Sequence, residues 1–449
     1  MNKNRRSFKQ ALLLLALTMK CRLLIIIVFV YTGTAAAQSN RRLAQEILTD
    51  KKLDMVSLMA ERLLASGFTA GDGYPQVWIR DLNTFIETSC KVYSIDTIRK
   101  NLLTFYYLQQ PNGEIVDGYV LTGHVTWDDP NIYTSVLDPL HVGFKNTVET
   151  DQETSLIQAF GKYISITGDW PVLQEMIGGK TVLERMKASV DYLLKHRYSE
   201  KYRLLTGATT HDWGDVQIEG GATVDVDSNT HWAIDVYDNA MFVLALNELV
   251  AFSNNAVEKE QWQRLKQLTA INIRKYIWDN KQHKFIPHLY ITDSPFPASF
   301  DENRIWFHGG TAIAIEAGLL SKKEIKEVNN QMLENVTQSG APSIGLTLYP
   351  PYPEGIYKGS DVSKPYIYQN GGDWTWFGGR MIQQLVTNGF VQEAYNEIQP
   401  MIDRVLRNKK FYEWYSVDGK PRGSGDFRGS AGVLAKAIVM LRTWAADNE

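Results

Sequence analysis

Carboxylates set among aromatic rings recur along this sequence, and these are the residues that could do chemistry. His211-Asp212-Trp213-Gly214-Asp215 offers two acids around an indole, and Phe411-Tyr412-Glu413-Trp414-Tyr415 offers a third among rings. An apolar wall disfavours the ionised form of a carboxyl and raises its pKa, which suits an acid that must keep its proton near neutral pH. Similar loops are Trp78-Ile79-Arg80-Asp81, Trp306-Phe307-His308-Gly309-Gly310 and Gly371-Gly372-Asp373-Trp374-Thr375-Trp376. Glycine pairs cost roughly 1 kcal/mol each against alanine in a helix interior, so here they imply backbone lying close to something else. Flat rings, carboxylates and tightly turned backbone are what a sugar needs: a face to stack on and acceptors for its hydroxyls. Cleaving a glycosidic bond takes one carboxylic acid to protonate the departing oxygen and one carboxylate to attack or to activate water. Asp212, beside Trp213, is the candidate acid, and Asp215, three positions on, is its rival.

The elements that must position these loops are helices. Apolar residues recur at helical spacing over 40–64, 97–109, 150–166, 182–196, 234–253, 259–278, 310–320, 322–336, 374–388, 390–407 and 429–446, and the apolar pattern Phe85, Ile86, Val92 follows the first aromatic loop. Residues 111–147 carry Gly, Pro, Asp and Trp without periodicity and read as a long loop. Phe285 to Ile291 could form a small strand, yet no strand-helix-strand unit repeats. About twelve helices paired by short connections, with aromatic loops between alternate members, describe an all-α (α/α)6 toroid of six helical hairpins with long loops and a few short strands. No linker divides residues 38–449, which read as one domain.

With 47 basic and 50 acidic residues in 449, the chain has no electrostatic case for nucleic acid or for an anionic membrane surface. The 8 histidines are scattered and no CxxC pair occurs, so no metal site and no cofactor is expected, and the option of a structural calcium on acid-rich loops stays open. The start of the chain reads as targeting. An apolar run from Leu23 to Val30, flanked by Lys20 and Arg22 and followed by Ala35-Ala36-Ala37, predicts a signal peptide over 1–37, cleaved after Ala37, with Met19 an alternative start. The expectation is export to a periplasmic or extracellular location without stable membrane insertion, since each apolar run is shorter than the roughly 20 residues of a spanning helix. The mature chain then keeps Cys90 alone.

Taken together, Trp78-Ile79-Arg80-Asp81, Thr210-His211-Asp212-Trp213-Gly214-Asp215, Tyr237-Asp238-Asn239-Ala240, Asp373-Trp374-Thr375-Trp376 and Phe411-Tyr412-Glu413-Trp414-Tyr415, in this order, resemble the six-hairpin glycosidases. Within them the chain is most similar to the group of processing α-glucosidase I and the glucosidase domain of glycogen-debranching enzyme. The resemblance implies a general acid on the mid-chain aspartate, Asp212, and a general base that activates water on the late glutamate, Glu413. With both in place the acids stand about 6.5–9.5 Å apart and the anomeric configuration inverts. It further implies that Arg80 and Asp81 hold sugar hydroxyls, and the substrate it implies is a neutral, glucose-containing oligosaccharide, α-linked and cut from its end.

Trp78, Trp127, Trp213, Trp374 and Trp376 are candidate stacking platforms, and His211, Asp215, His308 and Asp373 candidate contacts to hydroxyls. Glu149, Asp151 and Glu153 cluster at the start of a helix, and at least two of them read as first-turn acids facing its dipole. The sequence departs from the family in the extra N-terminal β domain, which is expected to be lacking, leaving loops 111–147 and 283–308 to close the cleft. Rival readings are phosphorolysis, with only Lys420, Arg422 and Ser424 near Glu413 to hold phosphate, a polysaccharide lyase, or a glycan-binding protein without turnover. The oligomeric state is not legible in these residues.

Overall fold

The computed structural model describes residues 38–125, 132–219, 225–358 and 363–449. The leader expected over 1–37 and the platform expected at Trp127 lie outside the described residues. Thirteen α-helices occur among the described residues: α1 (38–49), α2 (Lys51–Leu64), α3 (Ile79–Val92), α4 (Ile95–Tyr107), α5 (Gln152–Thr167), α6 (Val182–His196), α7 (Val236–Phe252), α8 (Ala256–Tyr276), α9 (His308–Glu316), α10 (Lys322–Ser339), α11 (Thr375–Thr387), α12 (Val391–Asn408) and α13 (Arg428–Asp447).

The chain divides into two units. The first comprises the residues up to Lys51 and Val439–Glu449. In it Leu43, Ala44 and Ile47 share one buried face of α1, as the spacing predicts, and Leu441 and Ala445 are buried on the last turns of α13. The single helix expected over 40–64 breaks at Asp50, whose carbonyl accepts from Arg442 Nη2 at 2.9 Å rather than from a further turn of helix.

The second unit, Lys52–Ile438, is an (α/α)6 toroid. Five successive inner helices pack side by side: α3 on α5, α5 on α7, α7 on α9, α9 on α11. α13 closes the ring through two glycines, where a Cβ on Gly379 of α11 would come within 2.6 Å of Val433 and one on Gly432 of α13 within 2.3 Å of Phe85 of α3. The inner helices are buried nearly all round, α7 from Val236 to Leu246 with a single break, so their polar side chains, such as Gln152 and Glu153 of α5, are buried as well. Helices α4, α6, α8, α10 and α12 each follow an inner helix and turn a polar face outward; of α8 only Thr269, Asn272 and Ile273 are buried. On the outside, Lys52 Nζ of α2 donates to Gln399 Oε1 of α12 at 2.6 Å.

Inner and outer helices begin differently. Outer helices α6 and α10 open with capping boxes, Thr181 with Glu184 and Ser321 with Glu324. Inner helices α3, α9 and α11 follow an aromatic residue, Trp78, Phe307 and Trp374, with no side-chain cap of their own. Their first N–H groups are therefore open to partners from elsewhere in the chain. The stretch 111–147, expected as loop, carries strands instead. β2 (Gly118–Leu121) pairs with β1 (Val77–Trp78) and with β4 (Asp138–Phe144), and β3 (Ile132–Ser135) pairs with β4. These strands are short and their exposure does not alternate cleanly, which hides them from a search for period two.

Candidate active site

The N-terminal ends of α3, α5, α11 and α13 border a cavity of about 290 Å³. Trp213, Trp374 and Trp376 build one wall, with ring centroids 4.8 and 4.9 Å from Trp213. Trp78 and Phe144, 6.4 Å apart, face the cavity from the β-sheet. Acids gather on this lining: Asp81, Asp117, Glu149, Asp215 and Glu413.

Glu413 stands at the base of a hairpin in which Trp414 pairs with Arg422. Its backbone N–H donates to Ser424 O at 2.9 Å, and Ser424 N–H donates back to Glu413 Oε2 at 2.8 Å. A Cβ on Gly423, at φ +66°, would lie 2.4 Å from that same oxygen, so glycine is required to cradle the carboxylate. Tyr74 O–H stands 3.1 Å from both carboxylate oxygens. Burial pushes the Glu413 pKa up to about 7, against the Ser424 and Tyr74 hydrogen bonds.

Asp215 ends the loop that follows Thr209, closed by Ile218 N–H donating to Thr209 O at 3.2 Å. Its N–H donates to Gln369 Oε1 at 3.1 Å, and Tyr368 O–H donates to its Oδ2 at 3.0 Å. Oδ1 is buried with no hydrogen-bond partner among the described residues. Burial raises this carboxyl's pKa, and Arg80 and Tyr368 act against it.

Asp212 does not line this cavity. It sits at φ +58° with both oxygens turned to Gly310 N–H, at 2.9 and 3.0 Å, and so caps the bare N-terminus of α9 from a distant loop. A Cβ on Gly310 would come within 2.7 Å of that carboxylate, which accounts for the glycine at this turn of α9. Of the three acids, Asp215 and Glu413 line this cavity, in place of the expected Asp212 and Glu413. The sequence favours Asp212 because Trp213 adjoins it, but the turn carries the next carboxylate, not this one, into the open space.

Arg80 is held by its own neighbours, with Nη1 on Glu149 Oε1 at 2.9 Å and a fork on Asp151 at 2.8 and 3.1 Å. Asp151 also accepts from Tyr237 O–H at 2.6 Å, and Glu153 from Ile115 N–H and Lys145 Nζ at 2.9 and 3.0 Å. Glu149, Asp151 and Glu153 therefore hold Arg80 and Lys145 of the cavity lining, together with Tyr237 and the backbone of Ile115. Asp81 lines the cavity, and burial together with the charge of Glu413 lifts its pKa to about 8.

Three further expected contacts are structural. His211 is fully buried, its ring 3.7 Å from that of Tyr357, and desolvation lowers its pKa to about 3, which leaves it neutral. His308 donates from Nδ1 to Leu346 O at 2.9 Å and accepts at Nε2 from Asn335 at 2.9 Å, a neutral ring used up by its neighbours. Asp373 is buried against Arg404 Nη1 and Ser343 Oγ, both at 2.8 Å. Sequence reasoning missed Tyr74, Asp117, Phe144 and Tyr368 on the lining. Tyr74 stands four residues ahead of the Trp78–Asp81 loop, whereas the others sit outside the acid-aromatic loops.

A family model described as amylo-alpha-1,6-glucosidase matches residues 131–418, which span both the Asp215 loop and Glu413. The chain belongs to the amylo-alpha-1,6-glucosidase family. It is accordingly a glycoside hydrolase, with a carbohydrate as substrate. No curated protein matches the chain. Among solved structures, a GH63 mannosylglycerate hydrolase from Thermus thermophilus, in complex with Tris and D-glycerate, has a TM-score of 0.59 at 13% identity over 86% of this chain and 99% of its own. A rhamnosidase from Klebsiella oxytoca with rhamnose bound has a TM-score of 0.55 at 12% identity over 87% of this chain and 64% of its own. At such identities these two proteins share with this chain a fold, the toroid of inner and outer helices. Among the described residues no helix is long and apolar enough to cross a membrane, and no cluster of His, Cys, Asp or Glu has the arrangement to hold a metal ion.

Proposed function

We propose that the protein is an inverting, exo-acting hydrolase of a neutral α-linked gluco-oligosaccharide, with Asp215 as general acid and Glu413 as general base. The observation that carries this reading is that Asp215 and Glu413 line one aromatic-walled cavity, each with a tyrosine on its carboxylate. The acid protonates the glycosidic oxygen as the C–O bond breaks, and water, giving its proton to Glu413, attacks the anomeric carbon from the opposite face. Two hydrogen-bond donors favour the charged form of Glu413 that a base must adopt. The volume of about 290 Å³ lies just under the roughly 300–1,000 Å³ range of ligand sites, which favours a chain end over a chain interior. α-Glucosyl specificity rests on the family description, and export on the leader pattern alone.

The charges on the lining support a neutral substrate and water as the nucleophile. Arg80 is committed to Glu149 and Asp151, and Lys145 to Glu153, Gln152 and the Ile115 carbonyl. Phosphorolysis or a uronate would need a cation that is free to meet the anion. The test is a panel of neutral di- and oligosaccharides with Glu413→Gln as blank, followed by proton NMR of the first-formed product. Inverted anomer is expected. Retained configuration, or turnover that requires phosphate, would overturn the reading.

A further inference from the structure

The acids on the cavity lining are not equally provided for. Glu149 has Arg80, Asp215 has Tyr368, and Glu413 has Tyr74 and Ser424. The carboxyls of Asp81 and Asp117 have no hydrogen-bond donor among the described residues. Arg80 and Lys145 act on Asp117 by charge alone. Arg80 gives Nη1 to Glu149 and Nε and Nη2 to Asp151, and Lys145 Nζ gives its three hydrogens to Ile115 O, Gln152 and Glu153.

Asp117 is also held where a ligand can meet it. Its N–H donates to Phe144 O at 2.7 Å and its carbonyl accepts from Ile79 N–H at 2.8 Å, which locks its backbone between the end of β4 and the start of α3. The next residue leaves room for an indole: a Cβ on Gly118 would come within 2.3 Å of the Trp78 ring. Trp78 thus lies against the sheet next to Asp117, and both line the cavity. At 9% exposure Asp117 is nearly buried, yet neither carboxyl oxygen is sealed, and the surface it keeps is on the cavity. Burial raises its pKa, and hydroxyl donors would favour its charged form. A flat ring with a fixed, unfilled acceptor beside it suits a sugar ring and one of its hydroxyls.

Resting on the reading of this cavity as the place where a sugar is cut, we infer that Asp117 is a substrate-binding residue that sets specificity: it accepts a hydrogen bond from one hydroxyl of the ring lying on Trp78, as Asp81 does from another. The ligand class it selects is a neutral sugar with that hydroxyl free, against the deoxy or O-alkylated sugar, which would leave a nearly buried carboxyl without a donor.

The experiment measures kcat/KM of the wild type, Asp117→Asn and Asp117→Ala on the α-glucobiose that the wild type cleaves fastest, and on analogues that each lack one hydroxyl of its terminal ring. With the wild type, the analogue without the hydroxyl that Asp117 holds is expected to lose about 10- to 100-fold, the size of a hydrogen bond to a charged group. Asp117→Ala should lose as much on the parent sugar and no more than about a further twofold on that analogue, since the pair is already broken. Every other analogue should lose what it loses with the wild type, and those retained losses report a folded site. Asp117→Asn, which keeps the shape and a neutral acceptor, should fall between. Asp117→Ala that cleaves the parent sugar at the wild-type rate, or that loses on every analogue as much as the wild type does, would overturn the role of Asp117. A wild type that cleaves no α-glucobiose, or cleaves it no faster than Glu413→Gln, would instead overturn the reading of the cavity beneath it.

Discussion

The two ends of the inner helices treat the same chemical group in opposite ways. At the N-terminal ends, burial lifts Glu413 to about 7 and Asp81 to about 8. Farther along the same helices, Glu316 on α9 is also buried, and it falls to about 2. Desolvation is the largest influence on all three, so burial alone cannot separate them. The difference lies in the company. Around Glu316 each inner helix supplies one charge, Glu87, Lys162, Glu248, Glu316, Arg380 and Lys436, three of each sign. Arg380 Nη2 reaches Glu316 at 2.9 Å, and Lys436 Nζ reaches Glu87 at 2.6 Å. At the cavity the acids outnumber the bases, and the bases are already engaged. Cations from neighbouring helices overcome burial at Glu316, though not at Glu248, whose pKa burial raises, and the cavity leaves its carboxyls poised to exchange protons with a substrate.

The largest effect that sharpens this contrast is on turnover. Glu413→Gln and Asp215→Asn each remove a group that meets the reacting atoms, and each should lower kcat on the oligosaccharide by roughly 10²–10⁴-fold. Asp212→Asn, behind the wall, should lower it less than about tenfold and chiefly loosen the start of α9. Steady-state kinetics of the three variants check the ordering, and an Asp212→Asn variant as dead as Asp215→Asn would erase the distinction between cavity and wall.

Next in size is the opposite end. Arg380→Met strands Glu316 as a buried charge, and breaking such a pair costs about 3–5 kcal/mol, with kcat per folded molecule unchanged. Urea unfolding at pH 7 measures it. The sign with pH follows from the lowered pKa: the Glu316 contribution is fully present above its ordinary value of 4.5 and is lost as pH falls toward about 2.

The poised carboxyls run the other way. Glu413 prefers its proton in the folded state, so its part of stability is present below pH 4.5 and is lost as pH rises through about 7. Glu413→Gln removes that loss. The variant should gain stability on the order of 3 kcal/mol at pH 8 and next to nothing at pH 4, read from paired melts. A gain of equal size at both pH values would mean that packing, not the proton, sets the effect.

Much of this contrast was legible in the residues and part was not. The toroid was, because inner and outer helices keep their apolar spacing and because an aromatic residue stands before α3, α9 and α11 where an ordinary cap would be. Glu413, Arg80, Asp81, Trp78, Trp213, Trp374 and Trp376 fall on the cavity as their loops suggested. The choice between Asp212 and Asp215 was not legible, since it depends on a positive φ at Asp212 and on the N-terminus of α9, nearly a hundred residues away in the chain. Asp373 and His308 share the motif of a sugar contact, but Arg404 and Asn335, from other helices, claim them. Pattern finds the loops, and long-range partners decide which side chain each loop presents.

The smallest predicted effect tests whether burial or mere nearness to the site governs. Lys410 bridges Asp72 and Asp426 at 3.3 Å each, on the outside of the loops that hold Glu413. Asp72 Oδ1 accepts from Ser424 Oγ at 3.0 Å, and Ser424 N–H meets Glu413, so a chain of hydrogen bonds leads from this surface pair to the catalytic base. All three ionised groups at the surface are more than 40% exposed, where water and salt screen them. Lys410→Ala should therefore change stability by less than about 1 kcal/mol and leave kcat within about twofold, since Ser424 keeps its backbone N–H whatever becomes of Lys410. A loss of turnover in Lys410→Ala as large as that in Arg380→Met is of stability would mean that the cavity's charge balance extends out to the surface of these loops, and the boundary between the two ends of the ring would have to be redrawn.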